Sequence, residues 1–291
     1  MLPVVVLGAG IIGASIAWRL AQAGRRVTIF DAGRVGAEAS WAGAGILAPG
    51  SEFEAPSIWA DLGGESMTLY PAFIDELRAE SGLAIDLQMY SQDGLVDPRD
   101  VMRALHTALA ARGVDIREKT PIANLDTEAA TAVVIAAGAW SSGISLRYHG
   151  QPVHLPESFP VKGHLIAYQL RPGLLGPIRR SGHTYLLQRS NGVVIAGSTE
   201  ERIGFDRSID SRICLRLHRR AAALWPELKG KLFDECWIGF RPGTATGLPR
   251  IERVGDTNAW LAYGHYRNGI LLAPVTAQKI ANDIISSSGT G

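Results

Sequence analysis

Gly8, Gly10 and Gly13, with Asp31 eighteen residues after the last of them, have the types and spacing of a turn that cradles a dinucleotide. Gly8 permits the tight turn, Gly10 lets the backbone approach a pyrophosphate, and Gly13 lets the next helix lie close on the strand. The free amides and positive end of that helix, beginning with Ile11 and Ile12, face the phosphates. Asp31 can accept hydrogen bonds from ribose hydroxyls. A second candidate is Arg241, whose planar fork matches a carboxylate in two parallel hydrogen bonds. Gly239, Pro242 and Gly243 around it predict a constrained turn.

Elements that would position these residues can be read nearby. Pro3–Leu7 is an apolar strand running into the glycine turn, and Arg26–Phe30 a second strand delivering Asp31, so the first thirty-one residues form a βαβ unit. Ser40–Pro49 is a run of small residues whose amides can come close to something flat. Ser57–Ser81 has helical spacing, with Leu62, Met67, Leu69, Tyr70, Phe73, Ile74 and Leu77 available for a buried stripe. Asp97–Pro98 opens a helix over 99–112 closed by Gly113, and a short strand follows at 114–117. Ala132–Gly138 reads as a central parallel strand ending under a cofactor.

From Val161 the pattern changes to period two. Strands are predicted at 163–168, 184–189 and 193–197, the last two joined by an Asn191-Gly192 hairpin turn. Arg212–Leu224 is a basic amphipathic helix with a solvated charged face. A strand at 260–263, a loop at 264–269 and a helix entered near Pro274 return the chain to the nucleotide-binding part. A helix N-terminus there would favour the negative charge that a flavin gains on reduction.

The chain has 291 residues, 46% of them hydrophobic, enough for a large core without covalent staples. Its 29 Lys+Arg against 28 Asp+Glu give no field that would attract nucleic acid. Cys214 and Cys236 are too few and too isolated for a disulfide framework or metal cage, and read as two reduced thiols suited to the cytoplasm. Met1–Trp18 lacks a basic n-region and reads as mature domain. No stretch is apolar enough for a membrane span. His183 and His265, without nearby acids in sequence, read as structural.

Five segments together resemble the glycine oxidase branch of the D-amino-acid oxidase family of FAD enzymes. They are Gly8–Asp31, Ser40–Pro49, Gly197–Glu201 with Gly204–Asp206, Trp237–Thr244 with Gly247–Pro249, and Gly264–Pro274. The resemblance implies an α/β fold: a Rossmann-type FAD-binding domain (1–85, 95–150 and 236–291) and a reduced α+β substrate domain (151–235) on a mixed or antiparallel sheet. It implies that Gly8, Gly10, Gly13 and Asp31 hold the ADP half of FAD, where the family more often has Glu for the acid. Ser40, Ala42, Gly43 and Gly45 would run along the flavin, Ile122 would bracket the adenine, and Ala137 and Gly138 would sit near the pyrophosphate. Asn268 belongs to the same motif as Gly269, Ile270 and Leu271, whose amides would meet the flavin C2 carbonyl edge. Arg241 would clamp a substrate carboxylate, assisted by Tyr185 and Arg267.

The activity so implied is oxidative deamination of glycine, sarcosine or D-alanine: hydride passes from the α-carbon to flavin N5, and O2 is reduced to hydrogen peroxide. A role in thiamine synthesis follows by analogy. A dehydrogenase passing electrons to a quinone, and a flavin-binding protein with little turnover, stand as alternatives; a nicotinamide-dependent enzyme fits the C-terminal motif poorly. A homo-oligomer is compatible with the family. The chain is shorter than that family in two places, between Tyr90 and Asp93 and between Thr120 and Ala132. The cofactor pocket should survive these losses, which bear on the roof over the substrate.

Overall fold

In the computed structural model, which describes residues 2–49 and 58–287, the glycine turn sits at the centre of a six-stranded sheet. Its strand order is β16 (Arg250–Arg253), β17 (Ala259–Tyr263), β8 (Ala132–Ile135), β1 (Val4–Leu7), β2 (Val27–Phe30), β6 (Asp115–Arg117). β1 pairs in parallel with β2 and β8, Val4 facing Val27 on one side and Ala132 on the other. All eight residues of β1 and β8 are buried, as a parallel strand covered on both faces requires. The first helix, α1 (Ile11–Gln22), lies against β1 so closely that a Cβ on Gly13 would stand 2.0 Å from the Gly8 carbonyl oxygen.

A five-stranded antiparallel sheet carries the middle of the chain, in the order β12 (Arg179–Ser181), β13 (Thr184–Gln188), β14 (Val193–Gly197), β11 (Ser158–Gln169), β15 (Glu235–Thr244). The Asn191-Gly192 turn joins β13 to β14 as expected. Two small sheets complete the fold. One is β3 (Ile46–Leu47), β5 (Gly94–Val96) and β4 (Leu87–Met89); the other is β10 (Gln151–Val153), β9 (Ser145–Tyr148) and β7 (Asn124–Asp126). The remaining helices are α2 (Ala39–Ala42), α3 (Ile58–Ser81), α4 (Pro98–Ala111), α5 (Ser211–Leu224) and α6 (Gly269–Ser287). Asp97 caps α4 and Asp210 caps α5, each accepting the amide two residues on at 2.8 Å. Of the predicted segments, Met1 and Ser57 lie outside the described residues.

Three expectations are corrected. Helix α6 begins at Gly269, so Pro274 lies inside it rather than at its start. Proline lacks the amide that would bond the Ile270 carbonyl, and the Tyr70 hydroxyl from α3 takes that oxygen at 3.1 Å. One turn further along α3 toward its start, the Ser66 hydroxyl bonds the Leu271 carbonyl at 2.6 Å. Second, Arg241 stands in the long strand β15 and not in a turn. Pro242 pairs there with Pro160, two residues without amides facing each other, while Gly239 and Gly243 make room for Ala42 and the Phe159 ring. Third, Cys214 and Cys236 are not free thiols but a disulfide, because α5 packs on the sheet and brings them together from 22 residues apart.

Candidate cofactor and substrate site

A single cavity of about 750 Å³ opens at the C-terminal ends of β1, β2 and β8, where parallel α/β sheets take their ligands, and runs to the face of the antiparallel sheet. Asp31, Ile122 and the glycine turn line one end; Tyr185, Arg241 and Arg267 line the other. Ser40, Ala42, Gly43, Gly45, Ala137, Gly138, Asn268, Gly269 and Ile270 stand along its walls with Gly10, Ile11 and Ile12. Gly13 and Leu271 do not line it. Gly13 serves the contact between α1 and β1, and the Leu271 side chain is buried in the core.

The nucleotide end is built by the backbone. Asp31 accepts the Ala9 and Gly33 amides, each at 2.7 Å, which fixes its carboxylate beside the turn. The N-terminus of α1 has only Gly10 as its cap, and the Ser40 hydroxyl supplies the missing acceptor, taking the Ile11 amide at 2.9 Å. At the opposite wall the amides of Gly269, Ile270 and Leu271 precede the first intrahelical bond of α6, Leu272 to Asn268 at 2.8 Å. Among the described residues they have no backbone acceptor, as the first amides of a helix do.

At the other end, Arg241 donates from Nη1 to the Thr199 carbonyl at 3.0 Å and from Nη2 to the Ser198 hydroxyl at 2.7 Å. Two of its five N–H donors are thereby committed. Burial pushes its pKa down from the ordinary value, while Tyr185, Arg267, Tyr266 and Glu200 lie close enough to act on its charge. The Tyr266 phenol is pushed up to about 12, first by burial and then by its hydrogen bond with Glu200. His265, although in the same loop, is fully buried on Thr276 at 3.0 Å, and burial pushes it down to about 3. It is an uncharged packing residue.

Sequence reasoning gave Ser198, Thr199, Glu200 and Tyr266 no role. Behind Thr199 lies a buried network that it also missed. The Thr199 hydroxyl accepts the His164 amide at 2.9 Å and donates to Glu201 Oε1 at 2.5 Å, while His164 Nδ1 meets the same oxygen at 2.9 Å. Because His164 Nε2 accepts the Asp210 amide at 3.2 Å, the proton of a neutral ring sits on Nδ1 and points to Glu201. No fixed spacing links positions 164, 199 and 241. Only the pairing of β11 with β14 and β15 does.

The FAD dependent oxidoreductase family matches residues 3–89 and 87–282, and the chain belongs to it. The two matched stretches meet beside the Tyr90–Asp93 turn between β4 and β5. The glycine oxidase of Geobacillus kaustophilus is 31% identical over 96% of this chain and 92% of its own. That of Pseudomonas aeruginosa is 31% identical over 96% and 93%. The crystal structure of the G. kaustophilus enzyme superposes with a TM-score of 0.90 at 28% identity, covering 98% of this chain and 95% of that one.

The cofactor is therefore FAD, and the residues present fit it. A Cβ on Gly8 would stand 2.4 Å from the Ala136 carbonyl, so the turn can be made only without side chains, and the elongated cavity joins an acid-lined nucleotide end to a cationic one. Among the described residues no helix is long and apolar enough to cross a membrane, and no cluster could hold a metal ion.

Proposed function

We propose that this FAD-dependent amino-acid oxidase oxidises glycine or a similarly small amino acid such as sarcosine or D-alanine. The observation that carries the reading is the buried guanidinium of Arg241 at the far end of the FAD cavity, held by Ser198 and Thr199 with donors to spare. A substrate carboxylate on those donors would be fixed in direction as well as in place. Tyr185 and Arg267 share that end of the cavity and would complete the carboxylate site.

The chemistry that FAD supplies when bound is acceptance of the hydride from the α-carbon and its delivery, as two electrons, to O2. Water hydrolyses the resulting imine to an oxo acid and ammonia, or to an oxo acid and methylamine where the substrate is sarcosine. No protein base is needed at the reacting carbon, and His265, the buried imidazole in the lining of the cavity, is engaged with Thr276. Similarity to glycine oxidases supports the choice of small substrates.

The test is the anaerobic absorbance spectrum of the holoenzyme before and after excess glycine, sarcosine or D-alanine. Bleaching of the flavin band by one of them is expected, with peroxide formed on admission of air. A band that persists with all three overturns the substrate assignment. Bleaching without peroxide overturns O2 as acceptor and favours a dehydrogenase.

A further inference from the structure

The stretch Ala42–Gly45 forms part of the cavity wall, and four carbonyls in and beside it are held by three other parts of the chain. Trp41 O accepts Arg99 Nε at 3.3 Å, Ala42 O accepts Trp237 Nε1 at 3.0 Å, Ala44 O accepts Arg189 Nη2 at 3.3 Å, and Gly45 O accepts the Val96 amide at 2.9 Å. Ala44 and Gly45 both line the cavity, and their amides have no acceptor among the described residues.

A trans peptide is planar, with its C=O and the following N–H pointing in opposite directions. A donor that holds the Ala44 oxygen on the outer side therefore turns the Gly45 amide to the inner side. Arg189 is the residue placed to do this. It is 6% exposed, stands at the end of β13, and forms a close ion pair with Asp97 Oδ1 at 2.6 Å. Asp97 also caps α4. Two residues after Asp97, Arg99 stacks over the Trp41 ring at 3.9 Å, and Trp41 meets Trp237 edge to face at 6.2 Å. A buried arginine is costly unless its charge and its hydrogen bonds are used; here the charge is set against Asp97, although Nη1 makes no directed hydrogen bond there, and Nη2 donates to the loop.

We infer that Arg189 is a positioning residue for the cofactor: by holding the Ala44 carbonyl outward it aims the Gly45 amide at the bound FAD, whereas the amide that follows the Trp237-held Ala42 carbonyl, that of Gly43, is already committed to the Ala39 carbonyl at 3.0 Å. The inference depends on FAD binding and not on the identity of the amino acid oxidised, so the two can fail separately. An aimed amide stabilises negative charge, and reduction adds negative charge to the flavin.

The experiment compares the holoenzyme with Arg189→Lys, which keeps the charge opposite Asp97 but loses the fork, and with Trp237→Phe as a control, which frees the Ala42 carbonyl of the same wall but leaves the Ala44 carbonyl held. FAD released on dilution is followed by its fluorescence, and the flavin midpoint potential by equilibration with a reference dye. Arg189→Lys is expected to release FAD about tenfold faster and to shift the potential downward, consistent with the loss of one hydrogen bond to a charge-bearing group, and Trp237→Phe to leave the potential unchanged. Unchanged release and unchanged potential in the folded Arg189→Lys protein, or an equal fall in potential in the Trp237→Phe control, overturn the inference. Faster release with unchanged potential in Arg189→Lys also overturns it, because a loosened wall alone would give that result.

Discussion

Gly163 lies directly beneath Arg241: a Cβ added to it would stand 2.4 Å from Nη1 and 2.5 Å from Nη2 of the guanidinium. The two residues are diagonal neighbours on one face of the β11–β15 pairing, with Val161 opposite Arg241 and Gly163 opposite Gly239. The absent side chain is the space in which the arginine lies. Gly163→Ala is thus expected to displace the guanidinium while leaving the FAD end of the cavity alone. Steady-state kinetics should show kcat/KM for the amino acid lowered roughly a hundredfold, the scale of a misplaced binding group. FAD content should stay at the wild-type level. A variant that loses FAD and activity together would show that the damage had spread beyond Arg241.

Gly197 stands in the same relation to Tyr185, opposite it on β14, and a Cβ there would come within 2.4 Å of the phenol oxygen. Gly197→Ala is expected to move the phenol and leave Arg241 with its Ser198 and Thr199 partners. The predicted outcome is a rise in KM of roughly tenfold, the value of a single hydrogen bond to a charged group, with kcat little changed. Measuring Tyr185→Phe beside it separates loss of the hydroxyl from displacement of the ring.

The network behind Arg241 makes a third prediction. Thr199 holds the arginine with its carbonyl and ties itself to His164 and Glu201 with its hydroxyl. Thr199→Val preserves shape but leaves the His164 amide without its acceptor and Glu201 without one donor. The expected cost is about 1 to 3 kcal/mol of unfolding free energy, read by chemical denaturation. Thr199→Ser, which restores the hydroxyl, should recover most of it.

How far the chain could be read follows from how local each feature is. The nucleotide end was legible because Gly8, Gly10, Gly13 and Asp31 act within one βαβ unit, so spacing along the chain is spacing in space. The partners of Arg241 were not, since Thr199 and Ser198 reach it across a sheet whose register no short pattern encodes. Local rules also misled at two points. Proline at 274 signals a helix start, yet Tyr70 and Ser66, some two hundred residues earlier, satisfy the carbonyls around it and let the helix begin sooner. Glycines and proline around Arg241 signal a turn, yet they mark close approaches on a strand.

Cys214 and Cys236 are the plainest case, because counting cysteines says nothing of which face of a helix meets which strand. With the pair joined, a segment of 22 residues is closed. The intact mass of the untreated protein should be that of the chain less two hydrogen atoms, and reduction should restore them. In the chain-entropy account a loop of this size is worth about 3 kcal/mol. Reduction, or replacement of both cysteines by alanine, is therefore expected to lower the denaturation midpoint without changing FAD content.

Acid should destabilise the fold in two separable stages. His265 is pushed down to about 3 by burial, from an ordinary value of 6.5. Between those values the unfolded chain binds a proton that the folded one does not, so stability present above pH 6.5 is lost as pH falls. Glu80 is pushed from 4.5 to about 2, chiefly by its hydrogen bonds from Arg112, with Trp18 and Gln22 adding to them. Its contribution is complete above pH 4.5 and is lost as pH falls toward 2, and solvent screening limits it to about 1 kcal/mol. Unfolding free energies measured from pH 7 to pH 3 should fall throughout. His265→Gln should flatten the curve from pH 6.5 down to about 3, and Glu80→Gln should flatten it only below pH 4.5. If the histidine variant keeps the wild-type slope, His265 is not the buried neutral group that the Thr276 contact makes it, and the loop carrying Tyr266 and Arg267 is packed differently.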